Sequence, residues 1–202
     1  ESLGIEAKMI EGRRITDIET LRIVTMVYAG LINKNMVAQL QAKGSNAIGL
    51  SGADGNVIKA KKRPVSTKTY GPEAGPMAGA VIDYGFVGDI DAVNTDLVLQ
   101  LLSTNTKLVL APITHDGKGQ LLNTNADTIA SVMAQALSEK YEVELLYCFD
   151  KEGVLEDVEN PKSVIKNISE EEAVKKIDEL LGHTLDIKQE LKETNNMLDI
   201  TT

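Results

Sequence analysis

The sequence predicts an α/β fold in which a parallel sheet is covered by helices on both faces. Lys107–Ile113 (KLVLAPI) and Val143–Phe149 (VELLYCF) are unbroken apolar runs of strand length, the pattern of strands buried on both sides. Helical spacing of apolar residues fills the ground around them. Asn94 or Thr95 caps one such stretch, which runs through Leu102, and Asn125–Lys140 forms another, with Ile129, Val132, Met133, Ala136 and Leu137 on one side. Strands alternating with helices pair in parallel.

The first element is a long helix. Thr16-Asp17-Ile18-Glu19 has the form of a capping box, with Thr16 as N-cap. Apolar residues then recur at Leu21, Val24, Val27, Tyr28, Leu31, Ile32, Met36, Val37 and Leu40, and Gly44 stops the helix after Lys43. Ile23 and Met26 fall outside that stripe, so the apolar surface is wider than one core contact uses. Either the helix is covered on two sides within the domain or it meets a second subunit. The subunit reading is preferred, because one short chain does not easily wrap a long helix.

Ala47–Leu50 is a short strand entering the Gly-rich turn SGADGN, and Lys59–Val65 continues as a strand. Residues 66–79 (STKTYGPEAGPMAG) read as a loop. They lack the Gly-Lys-Ser/Thr ending and the following helix that a phosphate cradle requires. Ile82–Ile90 alternates like a strand interrupted by glycines, and Thr114–Gly119 is a polar turn. Ser169–Glu172 (SEEE) is a second capping box, opening a helix to about Leu181, and a polar, helix-prone stretch runs from Gly182 to Thr202.

Composition narrows the function. A formal net charge of −9 argues against a nucleic-acid partner, which needs clustered cations. The short basic run Lys59–Arg63 reads as a solvated strand end or loop. With no Trp and 3% aromatic residues there is no platform for stacking bases. The single cysteine, Cys148, makes no internal disulfide, which suits a reducing compartment; its apolar surroundings predict a buried, inert thiol. No apolar stretch is long enough to span a bilayer and the first residues carry no signal-peptide core, so a cytoplasmic protein with no membrane partner is expected. His115 and His183 stand in unrelated contexts; solvent exposure is expected for both, with no metal site.

Ligands of α/β sheets bind beyond the carboxyl ends of strands. Leu122–Thr128 (LNTNADT) enters a helix at such a place, where free amides and the helix dipole favour an anion. Asn123 and Asn125 suit that role, and plain N-capping by either is the alternative. Asp127 is unexpected there, unless it holds cations in place. Phe149–Leu155 (FDKEGVL) sets Asp150 at the end of an apolar run before a glycine turn, which fits either the edge of a nucleotide site or an ordinary turn. Arg14, just before the long helix, is placed either to hold a carboxylate in its planar fork or to pair with Asp17 on the surface.

The segments GRRITDIETL, GLSGADG, DYGFVGDIDAVN, APITHDGKG, LLNTNADTIA and LLYCFDKEGVL, in this order, resemble N-acetylglutamate kinases of the amino-acid kinase family. They cover roughly residues 3–65 and 81–168. YCF before Asp150 looks like the Bacteroidetes-type branch, some members of which prefer an N-succinyl substrate. The resemblance implies a three-layer α/β/α sandwich with a mainly parallel central sheet, here incomplete at both ends. Residues 1–145 would be the substrate-binding and dimerisation part, and 146–202 a partial nucleotide-binding part with an unmatched tail. It implies ATP-dependent phosphorylation, with Mg²⁺, of the γ-carboxylate of N-acetylglutamate or N-succinylglutamate in arginine biosynthesis. Arg14 and Asn123 would bind substrate, Asp127 would orient two catalytic lysines, and Asp150, Lys151, Glu152, Gly153, Val154 and Leu155 would form the nucleotide turn. The helix over 17–43 would join two copies into a homodimer. The family's opening Lys-Gly-Gly segment and its Gly-Met-Ile-Pro motif have no match in this sequence, so little turnover is expected of these residues alone. The alternative is a catalytically inactive ligand-binding or dimerisation domain.

Overall fold

The computed structural model describes residues 9–10, 13–67, 81–148, 153–157, 159–160, 162–169 and 171–176. The chain divides into two compact units, one of residues 1–70 and 76–146, the other of 71–75 and 147–202.

The first unit opens with a two-strand hairpin, β1 (Met9–Ile10) and β2 (Arg13–Arg14). The long helix follows. It comprises α1 (Ile18–Val24), a π-helical stretch (Thr25–Ile32) and α2 (Asn33–Ala42). Its N-cap is Asp17, whose carboxylate accepts the Thr20 amide at 2.8 Å, and not Thr16. Thr16 is fully buried in contacts to other strands, so its hydroxyl is committed elsewhere, and Glu19 pairs with Arg22. Gly44 ends the helix at φ +75°, with the Ser45 amide donating back to the Leu40 carbonyl at 2.9 Å.

The sheets come next. β3 (Ala47–Leu50) pairs in parallel with β8 (Lys107–Leu110). A four-stranded sheet has the order β10 (Leu121–Asn123), β9 (Ile113–His115), β4 (Ile58–Lys62), β7 (Gly88–Val93). Within it β4 meets β9 in parallel, while β4–β7 and β9–β10 are antiparallel. β5 (Ser66–Thr67) and β6 (Val81–Ile82) close the ends of the Gly/Pro-rich segment, whose residues 68–80 lie outside the described set. α3 (Thr95–Ser103) and α4 (Ala126–Ser138) start at Asn94 and Asn125, each accepting the amide three residues on.

Among the described residues two apolar cores form. Val57, Ile58, Val98, Ile129 and Met133 unite the strands with α3 and α4, and Leu21, Val24 and Ile113 unite α1 with β9. The fold is therefore a layered α/β one, with helices packed on strands through two separate sets of buried residues.

Three expectations are corrected. Lys107–Ile113 is not one strand: Pro112 has no N–H to give, and the chain breaks there, leaving β8 beside β3 and carrying β9 into the other sheet. Thr114–Gly119 is not simply a turn either, since β9 continues to His115 and a hairpin returns as β10. The Asp116 carboxylate fastens that hairpin by accepting the Lys118 and Gln120 amides (2.7 and 3.1 Å). These bonds hold its pKa below the usual carboxylate value. Residues 143–148 form no strand, and Cys148 is exposed rather than buried. Continuous apolarity makes a strand only where a neighbouring strand supplies a ladder of hydrogen bonds, and the run takes part in no β-ladder with the described residues.

His115 is half-buried, its Nδ1 accepting the Gly117 amide at 3.2 Å while Nε2 is enclosed without a described partner. The expected solvent exposure does not hold: the turn residue Gly117 bonds the ring, and His115 pairs with Lys59 of β4. His183 lies outside the described residues.

In the second unit the SEEE capping box forms as expected. The Ser169 amide donates to Glu172 (2.9 Å), and the Glu172 amide donates to the Ser169 hydroxyl (3.2 Å), opening a helix over 171–176.

Candidate functional site

β10 runs out through Asn123 into Thr124 and Asn125, and α4 begins at Ala126. The sequence left Asn123 and Asn125 interchangeable as caps. The structure gives them different positions. Asn125 caps α4, its Oδ1 accepting the Thr128 amide at 2.9 Å. Asn123 is a strand residue whose Nδ2 donates to Thr16 Oγ1 at 3.1 Å and whose amide donates to the Phe86 carbonyl at 2.8 Å. Thr16 is itself clamped, with its amide donating to Tyr84 O (3.0 Å) and its carbonyl accepting from Phe86 N (2.7 Å). Arg14 stands two residues before Thr16, in β2. The start of the long helix is thereby joined to the end of β10.

GFVG (85–88) explains itself at this junction. Gly85 sits at φ +72°, and a Cβ there would come within 2.2 Å of the Thr16 carbonyl oxygen. Gly88 is hemmed in by Thr124 Oγ1 at 2.8 Å and by Leu122 Cβ and Thr114 Oγ1, both at 2.9 Å from an added Cβ. Without side chains these two glycines let three strands meet. The buried hydroxyls of Thr114 and Thr124 bond each other at 2.7 Å, and Thr124 also donates to Gly88 O at 3.2 Å.

A cavity of ≈ 580 Å³ opens beside this junction, lined by Val24, Tyr28 and Ile32 of the long helix, by Arg63, Tyr84, Val87 and Pro112, and by Asn123–Ala126. The start of a 13-residue helix and the amide-bearing Asn123 both face the same space. Helix N-termini carry partial positive charge and amides without intrahelical partners. The wall has one formal charge among its described residues, the Arg63 cation. Such a space suits a small anionic ligand with an apolar portion. Part of the wall belongs to the π-helix, a rare local geometry often found at functional sites.

Arg63 is what the sequence reading missed. It was assigned to a solvated basic run, which describes Lys61 and Lys62 correctly: both are exposed and pair with Asp91 and Asp83. Arg63 instead keeps only 23% of its side chain exposed and holds Asp89 by Nε (3.0 and 3.2 Å) and Nη2 (2.5 Å). The hydrogen bond to Asp89 raises its pKa above the ordinary guanidinium value. A period-two count along the strand does not find it, since Ile58 and Ala60 are the buried positions and alternation puts Arg63 on the face of Lys59 and Lys61.

Asp127 lies exposed in the first turn of α4 and does not line the cavity. Asp150, Lys151 and Glu152 lie outside the described residues. Gly153, Val154 and Leu155 belong to the second unit. There Leu155 bridges Val164, the Ile165 amide donates to the Val154 carbonyl at 2.8 Å, and an added Cβ on Gly153 would meet Val164 Cγ1 at 2.7 Å. The cavity wall carries no carboxylate among its described residues, and those residues include no group of three or more His, Cys, Asp or Glu able to hold a metal. The cavity thus fits an anion rather than a metal ion.

The sequence profile described as the amino acid kinase family matches residues 1–192. The chain is 55% identical over 170 residues to the acetylglutamate kinase of Phocaeicola vulgatus, covering 84% of this chain and 61% of that protein. It is 54% identical to the acetylglutamate kinase of Bacteroides thetaiotaomicron, with the same coverage. The chain spans about three-fifths of the length of these curated relatives. Among solved structures, smu.665 from Streptococcus mutans UA159 superposes with a TM-score of 0.68 at 24% identity, covering 89% of this chain and 64% of that one, a likeness of fold.

Proposed function

The chain belongs to the amino acid kinase family, and from that premise we propose that it carries the acceptor-binding part of an N-acylglutamate kinase. The reaction is ATP-dependent transfer of a phosphoryl group to the γ-carboxylate of N-acetylglutamate or N-succinylglutamate, a cytoplasmic step of arginine biosynthesis. One observation supports this above the others. Asn123–Ala126 of the NTNAD segment, common to the resemblance and to the anion-site reading, line a cavity whose described wall has a cation, a helix N-terminus and no negative charge.

In this proposal Asn123 and Arg14 hold the glutamyl moiety, and Val24, Tyr28 and Ile32 supply the apolar wall for the acyl group. Asp127 faces solvent at the head of α4, where it would orient the lysines that contact the transferring phosphoryl. Asp150–Leu155 would form the nucleotide turn of a part that begins near residue 146. Mg²⁺ carried on the ATP phosphates would neutralise charge on the transferred group. The residues of this chain contribute by positioning the acceptor carboxylate and excluding water around it.

Calorimetry of the purified chain with N-acetylglutamate and with unacylated glutamate tests the proposal. Saturable binding of the acylated ligand, at least tenfold tighter than that of glutamate, is expected. Equal or absent binding of both would defeat it. Hydroxylamine trapping of an acyl phosphate, with ATP and Mg²⁺ present, reads whether these 202 residues also turn substrate over.

Assembly into a homodimer through the helix over 17–43 belongs to the same proposal. Met26, Leu31 and Met36 are 60%, 61% and 51% exposed, more apolar surface than a solvated helix face normally carries. Light scattering is expected to give a mass near twice 21.8 kDa; a monomer across the micromolar range would refute the pairing.

A further inference from the structure

We infer that Arg63 binds a carboxylate of the substrate and thereby sets the anion specificity of the cavity, a role that rests on the acylglutamate proposal. Arg63 carries the only formal charge among the described lining residues. The cavity is open to solvent on one side and Asp89 offsets part of the charge from behind, but the described wall has no carboxylate, so the remaining N–H donors of the guanidinium suit an anion. The attraction grows as water is withdrawn, and Arg63 keeps only 23% of its side chain exposed.

The side chain is also held ready. Asp89 takes Nε and Nη2, and Asp89 is not part of the cavity wall. Nη1 donates to no described residue, so a guanidinium with five N–H donors keeps some for a ligand. The Tyr84 ring, 5% exposed, lies 5.6 Å from Cζ and constrains the guanidinium from a second direction. Ordering a long cationic side chain ordinarily opposes binding, and here that cost is met before the ligand arrives. Lys61 and Lys62, two equally charged neighbours, have side chains 75% and 47% exposed and do not line the cavity. Of three successive cations, the one with a planar fork suited to carboxylates faces the cavity.

Besides the acceptor, an acetylated glutamate offers one carboxylate and a succinylated glutamate two. One is the α-carboxylate, and the other is the far end of a dicarboxylic acyl group such as succinyl. The recognition chemistry is the same for either. Calorimetric titration with N-acetylglutamate, its α-amide and N-succinylglutamate separates them, using wild type, Arg63→Gln and Arg63→Lys.

Arg63→Gln is expected to weaken binding by roughly 10- to 100-fold wherever the carboxylate it contacts is present, the range of a hydrogen bond to a charged group. If that is the α-carboxylate, both free acids weaken and the α-amide does not. If it is the acyl carboxylate, only N-succinylglutamate weakens. Arg63→Lys, which keeps the charge and loses the fork, recovers part of the loss. Equal affinity of Arg63→Gln and wild type for all three ligands overturns the inference. So does an equal loss for all three, amide included, since Arg63 would then act only on the fold. Wild type binding none of them defeats the acylglutamate proposal itself and this role with it.

Discussion

Asn123→Asp is expected to weaken N-acetylglutamate binding by about a hundredfold while leaving the fold intact. The two side chains have nearly the same shape, so packing is not disturbed. The Thr16 hydroxyl that now accepts from Nδ2 at 3.1 Å can turn and donate instead. What changes is charge. A carboxylate would stand in a space whose wall has no negative group among its described residues. Two like charges about 5 Å apart in a partly desolvated site repel by about 3 kcal/mol at an effective dielectric near 20, or about two orders of magnitude in affinity. Calorimetry reads the affinity, and a thermal melt within a few degrees of wild type verifies the fold. Affinity within twofold of wild type would remove Asn123 from the site.

The second large effect concerns the backbone that holds Asn123 in place. Gly85→Ala is expected to destabilise the chain by about 2–5 kcal/mol. A non-glycine residue in the left-handed region costs about 1–2 kcal/mol. Overpacking adds about 1–3 kcal/mol, because the new Cβ would lie 2.2 Å from the Thr16 carbonyl oxygen. Thr16 cannot easily retreat, since its amide and carbonyl are both bonded across the junction. The same variant should weaken ligand binding, because the Thr16 hydroxyl positions Asn123. Gly119→Ala is the control. Its φ is +104°, but nothing lies within 4 Å of an added Cβ, so it incurs the conformational cost without the clash. Urea unfolding of both variants should show Gly85→Ala as the more damaging. Equal losses would mean that the close approach to Thr16 is relaxed at no cost.

The elements legible in the sequence were those decided by local chemistry. The long helix ends at Gly44, α3 begins at Asn94, and Ser169 and Glu172 cap each other, because propensity and capping act within a few residues. The readings that failed depended on distant partners. Thr16 has the residue type of a cap, yet it is buried against Tyr84 and Phe86, and Asp17 caps instead. Residues 143–148 have the apolar content of a buried strand but form no β-ladder with the described residues. The hairpin of β9 and β10 was hidden because its turn is polar and its strands are three residues each, too short for a period to show.

The site was half legible. NTNAD identified the stretch, but only the tertiary contacts separate Asn125, a cap, from Asn123, a strand residue tied to Thr16. Arg63 was not legible as a site residue, because a charge in a short basic run looks the same whether it faces water or a cavity. Its position follows from the register of β4 against β7, which pairs Lys61 with Asp89 and continues to Arg63 against Val87, so that the Arg63 side chain meets Asp89 diagonally.

A crystal structure of the chain grown with N-acetylglutamate tests the placement of the acceptor site most directly. The ligand should lie in the cavity between the long helix and the start of α4, with polar contacts from Asn123 and the first amides of α4 and with its acyl group against Val24, Tyr28 and Ile32. A ligand bound elsewhere on the chain, with this cavity empty at saturating concentration, would contradict the assignment.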